Sequence, residues 1–373
     1  MTSYTEIRTA WLPAEKQLAQ DVPFGCVDYI RERAALIYRR RLALLGEHLP
    51  AAVQFAQALD ATASSDSNHF FADPVVRGSI DDLLRIYRAA GGQKPADDQL
   101  EFLAYYSTHF DELKRDAENT AGSFQQEILS RPIRYWSDAS ARTLRDRAFS
   151  AMLRQHLPGA RGYVAEAETE ATINQALALL QGLLPLAAHS AVSHLHFIAV
   201  DDFDDEVGSA TISRILGTIF LSRSSLRSPW TTAEAILHEC MHLKFVELEH
   251  THSLMARGYS EEGSPRIHPP WHPETVNWPM NRALTAAHVY VALALYSVAS
   301  EATAPEFLAH YGPCKRSRLL MGTSAAGERA RSLIDLMSMH PESLGQAGRM
   351  FLEWMEDILQ KLAAEPSELC KAV

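Results

Sequence analysis

The chain has 373 residues, 47% of them apolar and 22% charged, with 35 Lys and Arg against 46 Asp and Glu, a formal charge of −11. This composition is that of a folded globular chain with material for one large core or two closely packed lobes, and it excludes disordered and collagen-like classes. The acidic excess argues against nucleic acid or a membrane surface as partner, because both are recognised through a basic face.

Basic residues do cluster over Arg31–Arg41 and Arg142–Arg154, but both stretches read as solvated helix faces. Cys26, Cys240, Cys314 and Cys370 are far apart and form no C-x-x-C pair, which excludes a zinc knuckle and a disulfide framework. The first residues, MTSYTEIRTAWLPAEKQ, lack the basic-then-apolar order of a signal peptide, and no run of about 18 apolar residues is evident. A cytoplasmic protein is the expectation.

Residues 1–190 read as a helical N-terminal region and 191–373 as a catalytic region, packed as one compact unit. Helical spacing predicts helices over Tyr29–Leu49, Ser79–Ala90, Ala96–Asn119, Leu144–His156 and Glu166–Leu184, the last closed by Pro185. Asp60–Pro74 is polar and turn-rich, and reads as a loop in which His69, Phe70 and Phe71 plug the core. Near residue 194 the pattern changes. His196–Val200 is a short β-type run, Asp201–Glu206 an acidic turn, and Ser209–Leu216 and Thr218–Ser222 flank Gly217 as a hairpin or bulge. The acidic turn lacks the glycine and terminal glutamate of a calcium loop. Thr218–Ser222 could offer its edge to an extended peptide.

The stretch TTAEAILHECMHLKFVELE, Thr231–Glu249, follows. Positions i and i+4 lie about 40° apart on a helix, so His238 and His242 share one face with Glu239 beside them, the H-E-x-x-H arrangement of a metal helix. Thr231 and Glu234 read as a capping box that opens this helix. Apolar residues surround most of its circumference, so it should be largely buried, and a metal would explain two buried histidines. Thr251–Asn277 is a long loop rich in Gly, Pro and His, with Trp271 and His272 as substrate-lining candidates. Met280–Ala299 is a strongly apolar helix interrupted by Arg282 and His288, and Glu328–Met339 and Ser343–Ala363 close the chain as helices.

Two histidines need a third donor and an open position for substrate. Phe245 and Leu248 stand where an extended metzincin motif needs Gly and His, which excludes that variant. Glu249 lies two turns, about 10 Å, beyond His242. His250 and His252 would have to fold back, which leaves His288 as the best third candidate. Two chemistries compete. A zinc hydrolase would use Glu239 as base for a metal-bound water. An iron oxygenase would hold a 2-oxo acid and dioxygen at the open positions, and would need a cation for the distal carboxylate. Arg282 is the first choice for that cation, with Arg266 and Lys244 as alternatives. The motif alone favours the hydrolase. A non-catalytic recognition protein carrying a relic motif is a third possibility.

The strings G-T-I-F-L-S, A-E-A-I-L-H-E-C-M-H-L-K, P-P-W and R-A-L-T-A-A-H-V-Y-V-A, spread over Gly217–Tyr296, resemble a family of H-E-x-x-H peptide-modification proteins found beside ribosomally made natural-product precursors. The resemblance implies an iron(II)- and 2-oxoglutarate-dependent dioxygenase that β-hydroxylates an amino-acid side chain in a precursor peptide, or a free or carrier-bound amino acid. It implies His238 and His242 as metal ligands, with His288 proposed beside them. Glu239 would then serve as a second-shell or substrate-positioning group instead of a base. The implied fold is α+β and mainly helical, with a small antiparallel sheet next to a zincin-like metal helix and no cupin barrel.

Overall fold

The structure is a computed structural model that describes residues 8–61, 71, 73–89, 123–124, 133–136, 144–157, 166–201, 208–302, 305–314 and 323–363. In chain order its elements begin with α1 (Leu12–Gln20), α2 (Val27–Gly46), α3 (Pro50–Asp60), α4 (Pro74–Ala89), β1 (Ser123–Phe124), β2 (Ile133–Trp136), α5 (Leu144–His156), α6 (Ala167–Leu183) and α7 (Pro185–Val192). They continue with β3 (Phe197–Asp201), β4 (Ser209–Thr211), β5 (Thr218–Ser222), α8 (Pro229–Thr251), β6 (Arg266–Ile267), β7 (Trp278–Pro279), α9 (Met280–Glu301), α10 (Pro305–Tyr311), α11 (Thr323–Ser338) and α12 (Gln346–Ala363). The protein is α+β and mainly helical, with a small sheet.

Two compact units divide these elements. One comprises Met1–Val27, Ala167–Ser193 and Arg223–Val373, and the other Asp28–Glu166 with His194–Ser222. Each draws on separate stretches of chain.

The sheet belongs to the second unit, in the order β1-β2-β3-β5-β4. It is mixed, which corrects the expected antiparallel sheet: β2–β3 and β3–β5 run parallel, and only β1–β2 and β4–β5 are antiparallel. Burial is the physical reason. Phe197–Val200 and all of β5 are buried, the continuous apolar run of strands covered on both faces. Phe149 of α5 stacks on Phe197 with ring centroids 4.1 Å apart, and Trp136 Nε1 donates to Ser150 Oγ at 2.9 Å, fixing α5 to the sheet. Of the expected strand over Ser209–Leu216 only Ser209–Thr211 is extended. Gly217, at φ +69°, is where the chain turns into β5, and a Cβ there would come within 2.8 Å of the His196 ring.

The first unit is helical, built around α8, which packs against α6, α7 and α9, while α9 in turn packs against α11 and α12. α9 is long and apolar enough to cross a membrane by length and composition, yet 78% of its most apolar window is buried within the structure. The expected helices over Leu144–His156, Met280–Ala299 and Ser343–Ala363 are present with small shifts of their ends. Pro185 does close α6, but it also opens α7, since proline is well suited to the first helical position. The expected helix over Ala96–Asn119, the acidic turn after Asp201, His69 and Phe70 lie outside the described residues. Phe71 is buried, as a core plug would be.

Candidate metal centre

The helix α8 starts earlier than the capping-box reading predicts. Its N-cap is Ser228, whose Oγ accepts from Thr231 N–H at 3.2 Å, with Pro229 at the first helical position. Thr231 lies inside the first turn, its hydroxyl donating to backbone carbonyls of Ser225 and Ser228. A serine cap followed by proline satisfies the orphan amides better than a T-x-x-E pattern starting three residues after that cap. The helix then runs unbroken to Thr251 and is buried along most of its length, as expected. Glu249 therefore stays about 10 Å along the axis from His242.

His238 and His242, both half-buried, turn their imidazoles toward one another, with Nε2 to Nε2 at 3.2 Å and ring centroids 4.9 Å apart. Two Nε2 ligands about 2.1 Å from one ion, at an angle of roughly 100°, lie about 3.2 Å apart, so the pair has the bite a metal requires. Burial, and then the His238 imidazole, push His242 down to about 3. Its ring is neutral at physiological pH, the state in which imidazole binds a metal. Glu239, 2% exposed, holds Oε1 3.8 Å from His238 Nε2. That exceeds the roughly 3 Å between neighbouring donors on one ion, and suits a carboxylate facing a ligand position, not one occupying it.

His288 is fully buried on α9 and faces α8, its ring 6.1 Å from Phe245, 5.2 Å from Phe351 and 6.2 Å from Trp354. Phe245 lies three residues beyond His242, so His288 packs about one turn further along the same helix. Among the described residues no three His, Cys, Asp or Glu side chains stand close enough together to hold an ion. The structure brings His238, Glu239 and His242 together and sets His288 in the neighbouring aromatic layer.

The cations separate as well. Lys244, the alternative for a 2-oxo acid, is fully buried, and its Nζ donates to Leu18 O at 3.0 Å, Gly25 O at 2.9 Å and Ser190 Oγ at 2.8 Å. Those three bonds use every ammonium proton, so Lys244 fastens α8 to the N-terminal segment and α7 and has no donor for a cofactor. Arg282 is exposed and lies over the Trp278 ring at 5.1 Å. Six residues separate it from His288, about 120° around the helix, so the two face different sides of α9. Arg266 is exposed on β6, opposite Pro279 in the short β6–β7 ladder.

Trp271 and His272 sit in a half-buried cluster that sequence reasoning completed only in part. Trp271 meets Tyr290 edge-on at 5.6 Å and Trp278 at 6.3 Å, and His272 meets Trp278 at 5.2 Å. Arg329 of α11 lies over Trp271 at 5.0 Å and Tyr290 at 5.5 Å. Tyr290 lies eight residues beyond Arg282 and about 80° around α9, so helical spacing alone does not single it out, and Arg329 carries no local signal. The loop between α8 and α9 is also structural. Ser264 Oγ accepts from Met280 N–H at 2.9 Å and Tyr259 Oη from Asn281 N–H at 3.2 Å, supplying the first turn of α9 with the cap that Pro279 cannot.

No protein-family model matches the chain, and no match is found among curated proteins.

Proposed function

We propose that the protein is an iron(II)- and 2-oxoglutarate-dependent oxygenase that hydroxylates an amino-acid side chain, in a peptide or as a free or carrier-bound amino acid, on a zincin-like metal helix. The observation that carries the reading is the His238–His242 pair, two imidazoles on one face of a buried helix with their Nε2 atoms 3.2 Å apart, the bite of a shared ion. When bound, iron with 2-oxoglutarate would let dioxygen oxidise an unactivated C–H bond, one oxygen atom going to substrate and the other to succinate as carbon dioxide is released. His238 and His242 would hold the ion. His288 is the proposed third donor on the resemblance of its segment alone. Glu239 would accept a hydrogen bond from a group at an open position and orient it. For the cofactor's distal carboxylate we keep Arg266, since Lys244 is fully bonded and Arg282 belongs to the Trp278 cluster.

Adding 2-oxoglutarate to anaerobic, iron-loaded protein should produce a weak visible charge-transfer band. No band with iron bound would count against the proposal.

The position of Glu239 favours a second reading, a zinc metallopeptidase. A buried carboxylate 3.8 Å from a ligand nitrogen is placed to take a proton from metal-bound water. Glu239→Gln would then abolish peptide cleavage while zinc stays bound.

A further inference from the structure

Among the described residues, the cluster around Trp271 is rich in donors and poor in acceptors. Trp271 Nε1 and Trp278 Nε1 are both buried and have no hydrogen-bond partner among the described residues, although Trp278 as a whole is only 6% exposed. Unsatisfied buried donors are few in folded proteins, and two in adjoining rings call for an explanation. Arg282 shows no carboxylate partner among the described residues; its guanidinium rests on the Trp278 face with its edge donors left over. Arg329 adds a second guanidinium on Trp271 and Tyr290, donating to Tyr290 Oη at 3.3 Å. His272 is held below its ordinary value by burial and then by Arg329, Arg282 and His268, a positive field with no acid among its causes. In a chain of formal charge −11, such a patch is out of character.

We propose that Trp271, Trp278 and Tyr290, with Arg282 and Arg329, form a carboxylate-binding site distinct from the histidine pair, which takes an Asp or Glu side chain of an extended peptide. The Arg282 guanidinium, held flat on the Trp278 ring, keeps its N–H edge open for bidentate carboxylate contact, Arg329 adds positive charge beside it, and the indole N–H groups supply further donors. The aromatic faces cover the aliphatic part of the acidic side chain. Regarding this peptide as the substrate rests on the oxygenase reading; the binding site itself does not.

The test is fluorescence polarisation with full-length protein and a labelled heptapeptide of alternating Ala and Glu, beside the same peptide with Gln for Glu. Saturable binding of the Glu peptide is expected. It should weaken by about tenfold both in the Gln peptide and in Arg282→Gln, an exposed change that leaves the core intact. His238→Ala should bind the Glu peptide as wild type does, so loss of turnover in that variant separates failure of the metal reading from failure of this one. Equal binding of the two peptides, or undiminished binding by Arg282→Gln, would overturn the proposal. Displacement of the labelled peptide by free 2-oxoglutarate at lower concentration than by unlabelled peptide would overturn it too, assigning the site to a small dicarboxylate.

Discussion

His238 and His242 face each other nitrogen to nitrogen at 3.2 Å, one helical turn apart, while the Glu239 carboxylate lies 3.8 Å from the first of them. In the proposed reading the pair would hold the ion and the carboxylate would orient whatever fills the open positions. Both depend on α8 being held rigidly, and the surrounding contacts identify what holds it.

Lys244 is the first such contact. Replacing it with Met leaves the carbonyls of Leu18 and Gly25 and the Ser190 hydroxyl without their buried donor. The expected loss is roughly 3 kcal/mol or more of unfolding free energy. Denaturant titration measures it. A change in 2-oxoglutarate affinity without a change in stability would show instead that Lys244 serves the cofactor.

Ser228 caps the same helix. Ser228→Ala should lower stability by about 1 kcal/mol in thermal or chemical unfolding. A neutral result would return the start of α8 to Thr231.

Glu249 reports on the far end of the helix. Burial and the neighbouring Glu261 raise its carboxyl from the ordinary 4.5 to about 7. The folded state then binds more protons than the unfolded state across that window. The stabilisation tied to the protonated form is complete below about pH 4.5 and lost as pH rises through about 7. Glu249→Gln should therefore unfold at a higher temperature than wild type above pH 7, and the gap should close toward pH 5. A gap independent of pH would contradict the shift.

For His288 the informative change is to Phe, which keeps the packing against Phe245, Phe351 and Trp354 and removes both ring nitrogens. The proposed third-ligand role predicts a fall in bound iron, read by metal analysis, with the melting temperature nearly unchanged. Iron content equal to wild type would leave His288 as a core aromatic residue only.

What the sequence made legible was local. The H-E-x-x-H spacing needs only the helical repeat, and the Leu144–His156 and Met280–Ala299 helices follow from apolar periodicity. Pro185 was ambiguous on its own terms, because the same ring that ends one helix can open the next. The hairpin suggested by the β-rich runs flanking Gly217 is present, since β4 pairs antiparallel with β5, but the parallel pairing of β2, β3 and β5 joins strands with no local signal of their partners. The partners of Lys244, the distant caps of α9 and the seat of Arg329 beside Trp271 join residues far apart in the chain, and no pattern within a window can announce them.

The central claim is an iron-dependent oxygenation organised by His238 and His242, and it is tested most directly by quantifying succinate and product mass together. Iron-loaded protein, 2-oxoglutarate, dioxygen and a substrate peptide or amino acid should release succinate in step with a product heavier by about 16 Da, and His238→Ala should form neither. Turnover that persists without 2-oxoglutarate, requires zinc and yields cleaved peptide would contradict the account.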